Sequence, residues 1–291
     1  MKLELTKHHG LGNDFLVAFA PTVEDPAALA VWLCDRRRGI GADGLLIAQS
    51  ASGYDARMTL YNADGSRAEM SGNGIRCLAQ AVAARRGDTS PQRILTDAGD
   101  RFVRLFATGR ADTLDVSVDM GEVSGIEAPI GWESLGCNPD RPVAHLSVGN
   151  PHSVVGVDDV YAVDLADLGR KVPGTNLEVI EPGPEHNGIR MRVHERGAGI
   201  TEACGTGACA SAWAAVAWGL VPTQSREVVV HMDGGSAWVR LDEPVPGRVT
   251  LVGPTVFIGS ITVELPDRHD GAPHITDRVH EATTATESTH A

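Results

Sequence analysis

The sequence predicts an α/β protein built as two similar halves, and three observations carry that prediction. Short strand-like segments alternate with helices of small residues along most of the 291-residue chain. Glu69-Met70-Ser71-Gly72-Asn73-Gly74 and Glu202-Ala203-Cys204-Gly205-Thr206-Gly207 superpose with a constant offset of 133, and each opens a small-residue helix. The loops Gly12-Asn13 and Gly149-Asn150 lie at a similar separation. Two halves with one strand–loop–helix plan are expected to face each other across a pseudo-twofold axis.

Taken in order, residues 3–6 alternate as a strand does and lead into the loop Gly10-Leu11-Gly12-Asn13-Asp14, then apolar residues 15–19. Asp25-Pro26 is a helix start, a cap followed by proline in the first turn. That helix is expected over residues 27–38, with Arg36, Arg37 and Arg38 complementing its C-terminal dipole and Gly39 stopping it. Residues 45–48 and 58–62 read as strands. A helix follows Gly74 and runs to about residue 86, where Gly87 ends it. Residues 93–95, 102–106 and the alternating 114–118 are strand-like. The second half repeats the plan. Strand 144–148 enters Gly149-Asn150-Pro151-His152 and apolar 154–157. Residues 188–194 alternate, and 207–218 form a helix ended by Gly219. Strands at 227–231, 237–241, 248–252 and 260–264 complete it. From Asp267 the chain is polar and poor in aliphatics, which predicts a disordered tail over 267–291.

Composition excludes several classes. Hydrophobic residues make up 42% of the chain, enough for a packed core. No stretch reaches the roughly 18 apolar residues of a membrane span, and no signal pattern opens the chain, so a cytoplasmic protein is expected. A net charge of −13, from 38 acidic and 25 basic residues, argues against general nucleic-acid binding. The five cysteines are scattered, without a CxxC pair, and read as reduced thiols rather than a disulfide framework or a zinc site. Lys2, Lys7 and Lys171 are the only lysines. None adjoins a glycine-rich phosphate loop, so pyridoxal phosphate is not expected and no cofactor is assigned.

The two helix entrances suggest the chemistry. A helix start leaves backbone N–H groups unpaired at the positive end of the dipole, where an anion binds, and a carboxylate suits it as well as a phosphate. Two facing entrances would grip one carboxylate from both sides, with Ser71 and Cys204 beside it. The dipole is expected to favour a thiolate at Cys204. Such a frame suits an α-amino acid. Fixed amides stabilise the charge that flows into the carboxylate, one group removes the α-proton, and another supplies a proton to the opposite face. The competing reading of Gly205-Thr206-Gly207 as a dinucleotide fingerprint lacks its context. Residues 196–203 separate the turn from the preceding strand, and Asp233 comes too late for the ribose acid.

The sequence resembles the diaminopimelate epimerase family. The matching stretches are His9-Gly10-Leu11-Gly12-Asn13-Asp14-Phe15, Gly41-Ala42-Asp43-Gly44, Asn62-Ala63-Asp64-Gly65-Ser66, Gly72-Asn73-Gly74-Ile75-Arg76-Cys77, Gly149-Asn150-Pro151-His152, Glu195-Arg196-Gly197-Ala198-Gly199 and Ala203-Cys204-Gly205-Thr206-Gly207-Ala208-Cys209. They come in family order and span residues 1 to about 266. The resemblance implies two α/β domains, each a strongly curved, mostly antiparallel sheet wrapped around a central helix, with the active site in the cleft. It implies a domain over residues 1–118, completed by a strand near 257–265, and a second over 119–256. It implies a cofactor-independent, two-base epimerase taking LL- to meso-diaminopimelate for lysine and peptidoglycan precursors. The substrate would be held by Asn13, Asn62, Asn150, Asn176, Glu195 and Arg196, and the carboxylate by the amides of Gly72, Asn73, Gly205 and Thr206. A homodimer is compatible with it, and no nucleic-acid or membrane partner is expected.

Two positions depart from the family pattern. The second catalytic cysteine matches Cys204, but the first falls on Ser71, an alcohol that does not ionise in a protein's working range. Cys77 lies within the helix and does not replace it, and Cys209 is expected to pack inside its helix. Ile200 stands where the family carries Glu, and His152 is either a pocket wall or a polar contact. Ser71 leaves open an epimerase with a weakened half-site, a single-thiol relative acting as epimerase, eliminase or dehydratase on another amino acid, and a substituted or regulatory form that only binds substrate.

Overall fold

A computed structural model describes residues 2–19 and 24–265 of the chain, so the tail expected from Asp267 lies outside the described residues. The first half comprises β1 (Lys2–Gly10), β2 (Asn13–Ala18), α1 (Pro26–Cys34), β3 (Gly44–Gln49), β4 (Ala56–Asn62), β5 (Arg67–Ala68), α2 (Gly72–Arg86), β6 (Gln92–Thr96), β7 (Gly99–Ala107) and β8 (Thr113–Glu122). The second follows with β9 (Ser124–Gly125), a 3-10 turn (Trp132–Leu135), β10 (Val143–Ser147), β11 (Pro151–Gly156), α3 (Leu165–Lys171), β12 (Asn176–Pro182), β13 (Gly188–Glu195) and β14 (Gly199–Thr201). It ends with α4 (Gly205–Ala217), β15 (Glu227–Met232), β16 (Gly235–Leu241) and β17 (Arg248–Glu264). Among the described residues no helix is long and apolar enough to cross a membrane.

Strand pairing closes a ring in each half. The first runs β1, β2, β3, β4, β6, β7, β8, β17 and returns to β1. The second runs β10, β11, β12, β13, β15, β16, β17 and β8, whose continuation β9 pairs back to β10. Parallel neighbours occur at the same places in both: β2/β3 and β4/β6, then β11/β12 and β13/β15. A parallel pair needs a crossover rather than a hairpin. The crossovers α2 (β4 to β6) and α4 (β13 to β15) run through the centre of each barrel. Residues 72–83 of α2 and 205–212 of α4 are buried on every side. Alanine, glycine and cysteine dominate those stretches, as a helix enclosed by a sheet requires.

The strands β8 and β17 belong to both barrels, so cuts at 118/119 and 256/257 fall inside strands. The separate strands expected at 248–252 and 260–264 are one 17-residue strand, β17. Along it, β16 pairs only as far as Val252 and β1 only from Val256. Pro254 therefore sits where β17 changes partners and its missing N–H costs no second ladder bond.

Three other expectations change. Helix α1 stops at Cys34, not residue 38. Asp35 Oδ1 accepts the N–H groups of Arg37 and Arg38, and Arg36 turns away to Asp14 and Asp43 instead of lying along the helix dipole. The loop at residues 10–14 is a tight hairpin of β1 and β2, turning on Leu11 (φ 56°) and Gly12 (φ 84°). Strand β12 was not signalled because it lies between β11 and β13 with residues 176–181 all buried, which removes alternation.

The two central helices meet end to end. A Cβ on Gly72 would lie 3.0 Å from the Cα of Gly205 and 2.8 Å from Leu251 Cδ2. One on Gly205 would lie 2.9 Å from the Cα of Gly72. The obstacle in each case includes rigid backbone, so only glycine permits this approach. Gly205→Ala is expected to lower the unfolding free energy by about 1–3 kcal/mol, the usual cost of overpacking. Denaturant unfolding of the variant measures it, and an unchanged midpoint would show that the helices can separate freely.

Candidate active site

The helix ends open onto a cavity of about 760 Å³ between the halves. Ser71 caps α2, its Oγ accepting from Gly74 N at 3.0 Å. Cys204 caps α4 in the same way, its Sγ accepting from Gly207 N at 3.4 Å. Each cap satisfies the third amide of its helix. The N–H groups of Gly72, Asn73, Gly205 and Thr206 have no partner among the described residues. Four free donors from two positive helix ends thus meet at one wall of the cavity.

The asparagines sit at strand ends around that wall. Asn13 opens β2, and its Nδ2 donates to Asp43 Oδ2 at 2.7 Å. Asn62 closes β4 and donates to Ser66 Oγ at 2.9 Å. Asn150 precedes β11, and its Oδ1 lies 3.0 Å from His152 Nε2. Asn176 is committed at both ends: Nδ2 donates to the Pro151 carbonyl at 2.8 Å and Oδ1 accepts from Arg196 N at 3.0 Å. It fixes the bend that presents Arg196. The Arg196 guanidinium reaches across the cleft to Glu69 at 3.3 Å.

Cys204 lies against an acidic interior. Its exposure is 4%. Glu195 is held by Thr201 Oγ1 at 2.5 Å, and buried Glu178 pairs with His152 Nδ1 at 2.6 Å while its Oε2 has no partner among the described residues. Burial, reinforced by the charges of Glu195 and Glu178, raises the Cys204 thiol well above its ordinary pKa. The expectation of a dipole-favoured thiolate is therefore corrected. Thr206 and the Gly207 N–H do pull the pKa down, but desolvation outweighs them. Burial likewise raises the Glu195 carboxyl.

The structure brings Cys204, Ser71, Asn13, Asn62, Gly72, Asn73, Asn150, Asn176, Glu195, Arg196, Gly205 and Thr206 to the lining of this one cavity. Ile200 lines it too and is 41% exposed. His152 is fully buried beneath Asn150 rather than in the lining. None of the three lysines lines the cavity. Cys77 and Cys209 are fully buried inside their helices. Sequence reasoning missed Arg36, Asp43, Glu69 and Glu202 in the lining and Glu178 behind it. The paired Glu69 and Glu202 of the repeat were the available signal, as was Glu178 among Leu177, Val179 and Ile180.

Known proteins match most of the chain. A family model described as diaminopimelate epimerase matches residues 5–126 and 145–257. The diaminopimelate epimerase of Synechococcus elongatus is 39% identical over 290 residues, covering 91% of this chain and 99% of its own. That of Heliobacterium modesticaldum is 38% identical over 281 residues, covering 88% and 98%. Among solved structures, a hydroxyproline epimerase from Agrobacterium vitis with bound trans-4-hydroxy-L-proline has a TM-score of 0.68 at 17% identity, covering 92% of this chain and 94% of its own. A phenazine biosynthesis protein of the PhzF family from Bacillus anthracis has a TM-score of 0.70 at 14% identity, covering 91% and 100%. These last two share the fold.

The raised Glu195 pKa gives a test by pH. A carboxyl whose folded-state pKa is raised contributes stability below its unfolded value, near 4.5, and loses it as pH rises through the folded value. Glu195→Gln should therefore gain in stability relative to the parent as pH rises from about 4.5 upward. Urea unfolding of both chains across that range measures the difference, and a difference independent of pH would show an unperturbed carboxyl.

Proposed function

The chain belongs to the diaminopimelate epimerase family, and we propose that it is a cofactor-independent isomerase that inverts the α-carbon of diaminopimelate, LL to meso, in the cytoplasmic synthesis of lysine. The observation that supports this most is the juxtaposition of the two capped helix ends, with Ser71 and Cys204 on one cavity and free amides between them.

In this reading the substrate's α-carboxylate lies against the amides of Gly72, Asn73, Gly205 and Thr206. Cys204 gives its proton to the neighbouring Glu195 carboxylate, whose charge acts on it, and the resulting thiolate takes the α-proton. The electron pair left on carbon flows into the carboxylate, where the amides stabilise it as an oxyanion hole does. A proton then arrives on the opposite face from the side of Ser71. Asn13, Asn62, Asn150 and Arg196 hold the remainder of the substrate, and Asn176 and Glu195 keep that grip in place.

Ser71 makes the two faces unequal. An alcohol is not a general base in the working pH range, so it passes a proton only through its hydrogen bonds. Exchange of the α-proton at the Cys204 face is expected to outpace inversion. Proton NMR in deuterated water with LL- and meso-diaminopimelate tests this, and no exchange with either isomer would falsify the reading. Ser71→Cys should raise inversion at least about tenfold, equal to about 1.4 kcal/mol of barrier. An unchanged rate in that variant would mean that inversion is not the reaction.

A further inference from the structure

Behind the α2 entrance sits a cation that the scheme above does not use. Arg76 has 0% exposure. Its Nη1 donates to the Gly72 carbonyl at 3.1 Å, its Nη2 to Asn73 Oδ1 at 2.8 Å and its Nε to the Pro254 carbonyl at 3.2 Å. All three acceptors are neutral, and no carboxylate among the described residues bonds to the guanidinium. The titratable groups that act on it are the Cys77 and Cys209 thiols, pushed by burial to about 11 and about 12 and hence uncharged at neutral pH. Burial brings Arg76 down to about 10, which still leaves it charged there. A buried cation without a counter-charge is costly. The pseudosymmetric position in α4 is Cys209, so the cation belongs to one half alone.

Its bonds lead to the cavity wall. The Gly72 carbonyl and the Asn73 N–H form one peptide group. A charge-assisted bond to that oxygen polarises the peptide and strengthens its N–H as a donor. Because a guanidinium only donates, the atom of Asn73 that it meets must be Oδ1. Asn73 Nδ2 is thereby directed to Asn13 Oδ1 at 3.1 Å and, across the two halves, to the Ala203 carbonyl at 2.8 Å. On the other side of the cavity carboxylates stand beside Cys204, Glu195 in the lining and Glu178 buried behind it.

We propose that Arg76 is a positioning residue that makes the α2 entrance the stronger anion-binding end, acting through the Gly72–Asn73 peptide on the negative charge that develops on the substrate carboxylate. The identity of that carboxylate rests on the epimerase reading. The positive potential at the α2 entrance does not, and it is measurable without substrate.

Ser71→Cys places a thiol at that entrance as a probe. Its pKa is read from the pH dependence of alkylation by iodoacetamide, followed at residue 71 by peptide mass spectrometry. In the chain with Arg76 intact this thiol should titrate below the ordinary value of about 8.5. Adding Arg76→Gln should raise it by at least about one unit, a roughly tenfold smaller thiolate fraction at neutral pH. Arg76→Lys, which keeps the charge, should retain most of the depression. A thiol at or above the ordinary value with Arg76 intact overturns the proposal even if Arg76→Gln fails to fold, and so does a value that Arg76→Gln leaves unchanged. For the reaction, α-proton exchange in Arg76→Gln should fall about tenfold in kcat with a smaller change in KM. Absence of exchange in the parent chain refutes the epimerase reading alone, because the thiol measurement decides the role of Arg76.

Discussion

Two helix N-termini held against each other through Gly72 and Gly205 are the constraint from which the rest follows. Like ends of two dipoles repel, and each leaves donors unpaired. Only the enclosing structure keeps them together. Both barrels close on the shared strands β8 and β17, Leu251 of β17 is wedged against both glycines, and Asn73 spans the contact to the Ala203 carbonyl. The fold thus maintains a concentrated positive potential that an anion relieves. A carboxylate bound there is bonded by groups already fixed in direction, so little reorganisation accompanies the appearance of charge.

The pseudosymmetry is geometric and not electrostatic. The Cys204 half holds Glu178, buried behind the cavity, and Glu195 in its lining. In the Ser71 half the buried Asp14 is paired with Lys7 and Arg36, and the Arg76 guanidinium has no carboxylate partner among the described residues. The charges around the two entrances therefore differ although their backbones match. This inequality bears on the proton transfers. In the proposed reaction a thiol raised by burial and by acidic neighbours ionises only when something accepts its proton, the role proposed for Glu195. The serine half has no ionisable cap and relies instead on strong amide donors.

Much of this was legible in the sequence where the chemistry dictates residue type. Glycine at 72 and 205 is required by backbone contact, small residues in α2 and α4 by enclosure, and Asn at strand ends by the cavity rim. Those requirements recur at fixed spacing, which made the repeat and many of the cavity-lining residues readable. Other features depend on contacts distant in the chain. Arg36 ends the regular course of α1 because Asp14 and Asp43 lie beside it, which no local propensity reports. Glu178 occupies a strand buried on both faces, where period-two patterning vanishes. Arg76 looks like an ordinary helix residue until β17 changes partners beside it, leaving the Pro254 carbonyl for its Nε.

The carboxylate clamp is tested most directly by a crystal structure of the Cys204→Ala chain with diaminopimelate. One carboxylate should lie about 2.7–3.2 Å from amides of both the Gly72–Asn73 and the Gly205–Thr206 entrances, with its α-carbon between residues 71 and 204. A carboxylate bound elsewhere in the cavity, or gripped by one helix end with the glycines drawn apart, would contradict it.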